Sequence, residues 1–114
     1  MAILESLAQL GILDAATNMQ RYPHQWSGGM LQRATIAAAA AHHPALIIVD
    51  EPTSALDASV SSAILHLLAA VAARDTAIVI VSHDRPLLDA LCTRVLTMCD
   101  GVFTEFTLKT GVLR

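Results

Sequence analysis

The sequence predicts an α/β fold with a mostly parallel sheet flanked by helices, on three observations. Two short apolar runs rich in β-branched residues, Leu46–Val49 and Ala77–Val81, stop abruptly at polar residues, Asp50-Glu51 and Ser82-His83-Asp84. Segments of helical period lie before, between and after them. Strands that alternate with helices imply parallel neighbours joined by right-handed crossovers. The last stretch departs from the pattern and reads as a hairpin.

In chain order, Ile3, Leu4, Leu7, Leu10 and Leu13 fall at a helical period over Met1–Leu13, with Gly11 able to end that helix early. Asp14–Gln20 is a polar connector, and Tyr22-Pro23 imposes an extended approach to Ser27-Gly28-Gly29. Ser27 is a good N-cap for a helix running from Met30 to about Ala41, whose alanines allow close packing and which closes at His42-His43-Pro44. Leu46–Val49 reads as a strand buried on both faces. Pro52 fixes the exit, Thr53–Asp57 forms a turn, and Asp57 caps a helix whose core stripe is Val60, Ile64, Leu67, Leu68 and Val71. Ala77–Val81 is a second buried strand, and Pro86 opens a helix that turns Leu87, Leu88 and Leu91 towards the sheet. Val95–Met98 and Val102–Phe106 are two strands that turn at Asp100-Gly101.

The 114 residues suit one domain, and a 54% hydrophobic content is enough for a core. A net charge of −3 with seven basic residues disfavours nucleic acid as a partner. Cys92 and Cys99 lack Cys-x-x-Cys spacing and read as reduced, structural thiols of a cytoplasmic protein that opens with no signal sequence. No apolar run approaches the ~20 residues of a membrane helix, so membrane association would pass through a partner.

Three stretches carry chemistry. Gly28 and Gly29 follow a capping serine and open a helix, so free amides and the positive dipole end suit an anion, above all a phosphate. Three such residues are also an ordinary turn. Adjacent acids at the carboxyl end of a buried strand stand where α/β sheets hold ligands; one can hold Mg²⁺ and the other orient a water. Asp-Glu-Pro is equally an ordinary strand exit. Among the histidines, His24, His42, His43 and His66 lack ligand spacing, whereas His83 ends a strand at the same sheet edge as Asp50 and Glu51.

The array as a whole resembles the C-terminal half of an ABC-transporter ATPase. Ser-Gly-Gly-Met-Leu-Gln-Arg at 27–33 matches that family's signature motif, and Leu-Ile-Ile-Val-Asp-Glu-Pro-Thr-Ser-Ala-Leu-Asp at 46–57 matches its Walker B strand and D-loop. Ile-Val-Ile-Val-Ser-His-Asp at 78–84 matches the strand that ends in its switch histidine. Arg21-Tyr22-Pro23-His24-Gln25 is similar to the oligopeptide, dipeptide and nickel importer branch. The resemblance implies that residues 1–43 are the end of a helical subdomain and 44–114 part of the catalytic core. It also implies that Ser27, Gly28, Gly29 and Met30 face the γ-phosphate of an ATP held mainly by a partner subunit. Met30 stands where the family usually has glutamine, and Trp26 where leucine is commoner. Asp50 would position Mg²⁺ through water, Glu51 would polarise the attacking water, His83 would contact the γ-phosphate, and Asp57 would sit in the loop joining the two sites of a dimer. The implied partners are a second ATPase subunit, identical or not, and transmembrane permease subunits, at the cytoplasmic face of a bacterial membrane.

Two family elements are missing from these residues. A P-loop, Gly-x-x-x-x-Gly-Lys-Ser/Thr, wraps phosphates with backbone amides and a lysine; here the one lysine is Lys109, and no glycine precedes it. The Q-loop is absent as well. The family fold places the P-loop strand between the strand ending at His83 and that around Val95–Met98, so a gap in mid-sheet is expected, and no ATPase activity from the chain alone. The function implied is ATP hydrolysis coupled to import, for peptides or nickel. The alternative is a truncated, non-catalytic protein that at most pairs with an intact ATPase.

Overall fold

A computed structural model describes Ala8 and residues 20–108. The helix expected over Met1–Leu13, its end at Gly11 and most of the Asp14–Gln20 connector lie outside the described residues. A 3₁₀ turn, Pro23–Gln25, leads into helix α1, Gly28–Ala40. Ser27 is extended (φ −63°, ψ 158°) and its Oγ accepts the Met30 N–H at 3.2 Å, so one of the helix's unpaired first-turn donors is satisfied. Beyond α1, His43 takes a positive φ of 51° directly before Pro44.

Strand β1, Leu46–Asp50, is followed by α2, Ala58–Ala72, and strand β2, Ala77–Val81. The strands pair in parallel from Leu46↔Ala77 to Asp50↔Val81, which puts Asp50 and the end of β2 at one sheet edge. Asp57 caps α2 as expected, its Oδ1 accepting the Val60 N–H at 2.9 Å. Ile36, Ala37 and Ala40 of α1, Ile47 and Val49 of β1, and Ile64, Leu67, Leu68 and Val71 of α2 form one buried cluster. Ile64 is wholly buried; burying each such side chain contributes about 1.5–3 kcal/mol.

The expectation that β1 and β2 are buried on both faces is not met. Ile47 and Val49 are buried, but Leu46 and Ile48 are 50% and 67% exposed, and Val79 and Val81 are 47% and 51% exposed. α1 and α2 cover one face, and no described element covers the other. An apolar, β-branched run identifies a strand without saying how many of its faces have neighbours.

Helix α3, Arg85–Leu91, starts at Asp84 and packs against α2. Leu87 is buried and Leu91 joins the edge of the core, while Leu88 is half-buried. Strands β3, Arg94–Cys99, and β4, Val102–Leu108, form an antiparallel hairpin with a bulge between Thr97 and Met98. Asp100 and Gly101 both take positive φ, 48° and 76°, as a tight two-residue hairpin turn requires. The hairpin and the β1–β2 pair are separate two-stranded sheets. Among the described residues the strand ending at His83 and β3 are thus not hydrogen-bonded neighbours.

Candidate functional site

The site grows from the carboxyl ends of β1 and β2. Glu51, the first residue after β1, adopts the left-handed region at φ 47°, a conformation that costs a non-glycine residue roughly 1–2 kcal/mol. It is held there because its N–H donates to the Val81 carbonyl at 2.7 Å, one hydrogen bond past the end of the ladder, and its carbonyl accepts the Ser54 N–H at 3.2 Å. This sharp turn brings Glu51 Oε1 to 3.0 Å from His83 Nδ1.

With Glu51 ionised the carboxylate only accepts, so Nδ1 carries the proton in this contact, and Nε2 faces a third group as an acceptor when the ring is neutral and as a donor when it is protonated. The His83 side chain is 84% exposed and that of Glu51 36%. A contact so open to water adds little to stability. What it supplies is a carboxylate and an imidazole held in register beside an accessible space.

The burial of β1 alternates, which puts Asp50, its last residue, on the exposed face with Leu46 and Ile48. Among the described residues no three of His, Cys, Asp or Glu gather. A closed, all-protein metal cage is not built here; an exposed carboxylate oxygen on a strand end fits Mg²⁺, which keeps several waters and takes one or two carboxylates plus phosphate oxygens.

Two residues that sequence reasoning did not single out tie these loops together. Thr53, 9% exposed, donates from Oγ1 to Asp84 Oδ2 at 3.4 Å. Asp84 Oδ1 accepts the Leu87 N–H at 3.2 Å, and the Asp84 N–H donates to Ser82 Oγ at 3.0 Å. The signal for Asp84 is in the sequence: an acid two residues before proline marks a helix N-cap.

Ser27, Gly28, Gly29, Met30 and Asp57 form a second group, where the N-termini of α1 and α2 lie side by side. The two glycines differ. A Cβ on Gly28 would meet only Leu56 Cδ2 at 3.8 Å, an ordinary contact. A Cβ on Gly29 would overlap Val60 Cγ1 and crowd its Cγ2 and Cβ at 3.3 and 3.4 Å. Glycine at 29 is therefore explained by helix packing, whereas Gly28, exposed on the first turn, leaves its amide open to approach. The Met30 amide is taken by Ser27 Oγ, and the Met30 side chain is half-buried.

The other histidines join neither group. His24 stacks on Tyr22 with ring centroids 5.7 Å apart, and His42 and His43 are exposed beyond the end of α1. Cys99 is an exposed thiol, so the structural role expected of both cysteines is open only to the half-buried Cys92. No described helix is long and apolar enough to cross a membrane.

Known proteins resemble the chain over most of its length. The family model described as ABC transporter matches residues 2–54. A dipeptide transport ATP-binding protein, DppD, of Lactococcus lactis subsp. cremoris is 42% identical over 104 residues, covering 90% of this chain and 30% of that protein. DppD of Escherichia coli K12 is 40% identical over 103 residues, again 90% of this chain and 32% of the relative. Among solved structures, a dimeric ATP-binding cassette in a post-hydrolysis state, bound to ADP and Pi, superposes with a TM-score of 0.77 at 31% identity, covering 95% of this chain and 46% of that one. The chain spans about a third of the length of the curated relatives it matches.

Proposed function

Because the chain belongs to the ABC-transporter ATPases, we propose that it is the signature, Walker B and switch-histidine portion of the ATP-hydrolysing subunit of a peptide importer. The observation that carries this is the 3.0 Å contact between Glu51 and His83 at the mouth of β1 and β2. The names of the matched relatives favour dipeptides or larger peptides over nickel as cargo.

In this reading Glu51 takes the proton side of the reaction: its carboxylate orients a water and draws on that water's O–H as it attacks the terminal phosphate. His83, fixed through Nδ1, holds Glu51 in its aim and, with Nε2 protonated as well, would donate Nε2–H to an oxygen of the same phosphate. Asp50, on the separate face of the strand, would hold Mg²⁺ through water, and the ion would supply charge neutralisation between phosphate oxygens. Nothing in the residues calls for a covalent intermediate; the work is positioning and electrostatic stabilisation. The exposed first turn at Ser27-Gly28, with Gly29 and Met30 behind it, would meet the γ-phosphate of ATP bound on a second ATPase subunit, and Asp57 would lie in the loop between the two sites. Permease subunits would hold the assembly at the cytoplasmic face of a bacterial membrane. Residues 1–43 would close a helical subdomain and 44–114 belong to the catalytic core.

The 114 residues contain no Gly-x-x-x-x-Gly-Lys-Ser/Thr. By themselves they would not hydrolyse ATP; the second reading is a non-catalytic chain that pairs with an intact ATPase. The test is a chimera in which these residues replace the matching third of E. coli DppD. The proposal expects Mg²⁺-dependent ATPase activity in the chimera, none in the chain alone, and a loss of about 10²–10⁴-fold on Glu51→Gln, the range for removing a positioned general base. Undiminished activity after Glu51→Gln would remove Glu51 from the chemistry. For the second reading, translation of the DNA upstream of the Met1 codon decides: an in-frame P-loop favours the enzyme, a stop or frame break the non-catalytic partner.

A further inference from the structure

The Glu51–His83 contact joins an exposed imidazole to a half-buried carboxylate on two separate loops, and a pair so open to water does not hold itself together. Something behind them has to fix the distance. On one side is a backbone bond, the Glu51 N–H to the Val81 carbonyl at 2.7 Å. On the other side is a side-chain bond, Thr53 Oγ1 to Asp84 Oδ2 at 3.4 Å. Thr53 lies two residues after Glu51 and Asp84 one residue after His83, so the two crosslinks bracket the pair.

We infer that Thr53 and Asp84 are positioning residues for the Glu51–His83 pair, an inference that rests on the proposed role of that pair. Asp84 suits this because its carboxylate is committed at both oxygens: Oδ1 to the first turn of α3 through Leu87 N–H, Oδ2 to the loop that carries Glu51. Its N–H is bound by Ser82 Oγ, which fixes the backbone on the other side of His83. The residue flanked by these anchors, His83, is thereby set relative to α3, and α3 relative to the turn after β1. Thr53 is the weaker member by distance, but it is buried, and its hydroxyl has this acceptor to bond. Without the hydroxyl the α3 cap survives and the tie between the loops does not.

The test reads the pair itself on the whole chain. Ring-nitrogen chemical shifts of His83 are measured by NMR near pH ~8.5, where an imidazole of ordinary pKa is neutral, in the wild type, Thr53→Val, Thr53→Ser and Glu51→Ala. Glu51→Ala defines the shifts of the uncoupled ring. Thr53→Val, which keeps the shape and removes the hydroxyl, moves the His83 shifts at least half of the way to the Glu51→Ala values; Thr53→Ser, which restores the hydroxyl, leaves them at wild type. Asp84→Ser, whose single hydroxyl keeps the helix cap but cannot also reach Thr53 Oγ1, moves them in the same direction as Thr53→Val and serves where Thr53→Val does not fold. A lowered Tm with His83 shifts unchanged in Thr53→Val and Asp84→Ser, while Glu51→Ala does move them, overturns the positioning role and leaves the pair standing. Shifts that do not respond to Glu51→Ala overturn the pair, and the positioning role with it.

Discussion

Replacing Gly29 by alanine tests whether α1 and α2 are packed as closely as the structure has them. The added methyl would overlap Val60 Cγ1 and crowd Cγ2, so Val60 has to turn or the two helices have to part. Valine in a helix also keeps one χ1 rotamer about 90% of the time, so the side chain resists rotation. Overpacking of this kind costs about 1–3 kcal/mol, and alanine returns at most ~1 kcal/mol through better helix propensity. The middle of that cost, about 2 kcal/mol, against the full return of ~1 kcal/mol leaves a net loss of about 1 kcal/mol, or roughly 4–8 °C in Tm for a domain of this size. Gly28→Ala, with 3.8 Å to its nearest neighbour, gives no loss beyond a few tenths. Thermal unfolding by circular dichroism measures both, and Val60→Ala added to Gly29→Ala recovers most of the deficit as a coupling energy between contacting residues. Equal melting temperatures for Gly28→Ala and Gly29→Ala would refute the packing argument and return both glycines to the ligand alone.

Other expectations concern stability and association. Ser27→Ala and Asp57→Ala each remove a side-chain cap and lower stability by about 1 kcal/mol in denaturant titrations, with the loss localised to α1 or α2 by amide exchange. Ile64→Ala, at a wholly buried position, costs about 2–5 kcal/mol by the same titration. The open face of β1–β2 makes the chain self-associate, so Ile48→Lys, which charges the most exposed apolar residue of that face, shifts the light-scattering mass downward; an unchanged mass would show that this face is not the adhesive one.

Much of this architecture was legible because local chemistry and fold agree. Asp57 and Ser27 cap helices where their side chains promise to, and Asp100-Gly101 turns the hairpin because both residues tolerate positive φ. His83 and Glu51 could be placed at one edge because parallel strands in register bring their carboxyl ends together. Three things were not legible. Burial of only one strand face depends on which elements stand beside the strand, and β-branched runs carry no such information. The left-handed turn at Glu51 is forced by the Val81 carbonyl, thirty residues away in sequence, rather than by a glycine. The reason for Gly29 resides in Val60, on another helix, and surfaces only when α1 and α2 are set side by side.

The central claim is that Glu51 and His83 act as one unit on the terminal phosphate, and a double-mutant cycle in the DppD chimera tests it most directly. Steady-state ATPase rates of Glu51→Gln, His83→Ala and the double variant are compared at saturating Mg²⁺-ATP. Groups that act as a unit are strongly non-additive, so the double variant is expected to lose about as much as the worse single one. Losses that multiply would show two independent groups and contradict the account.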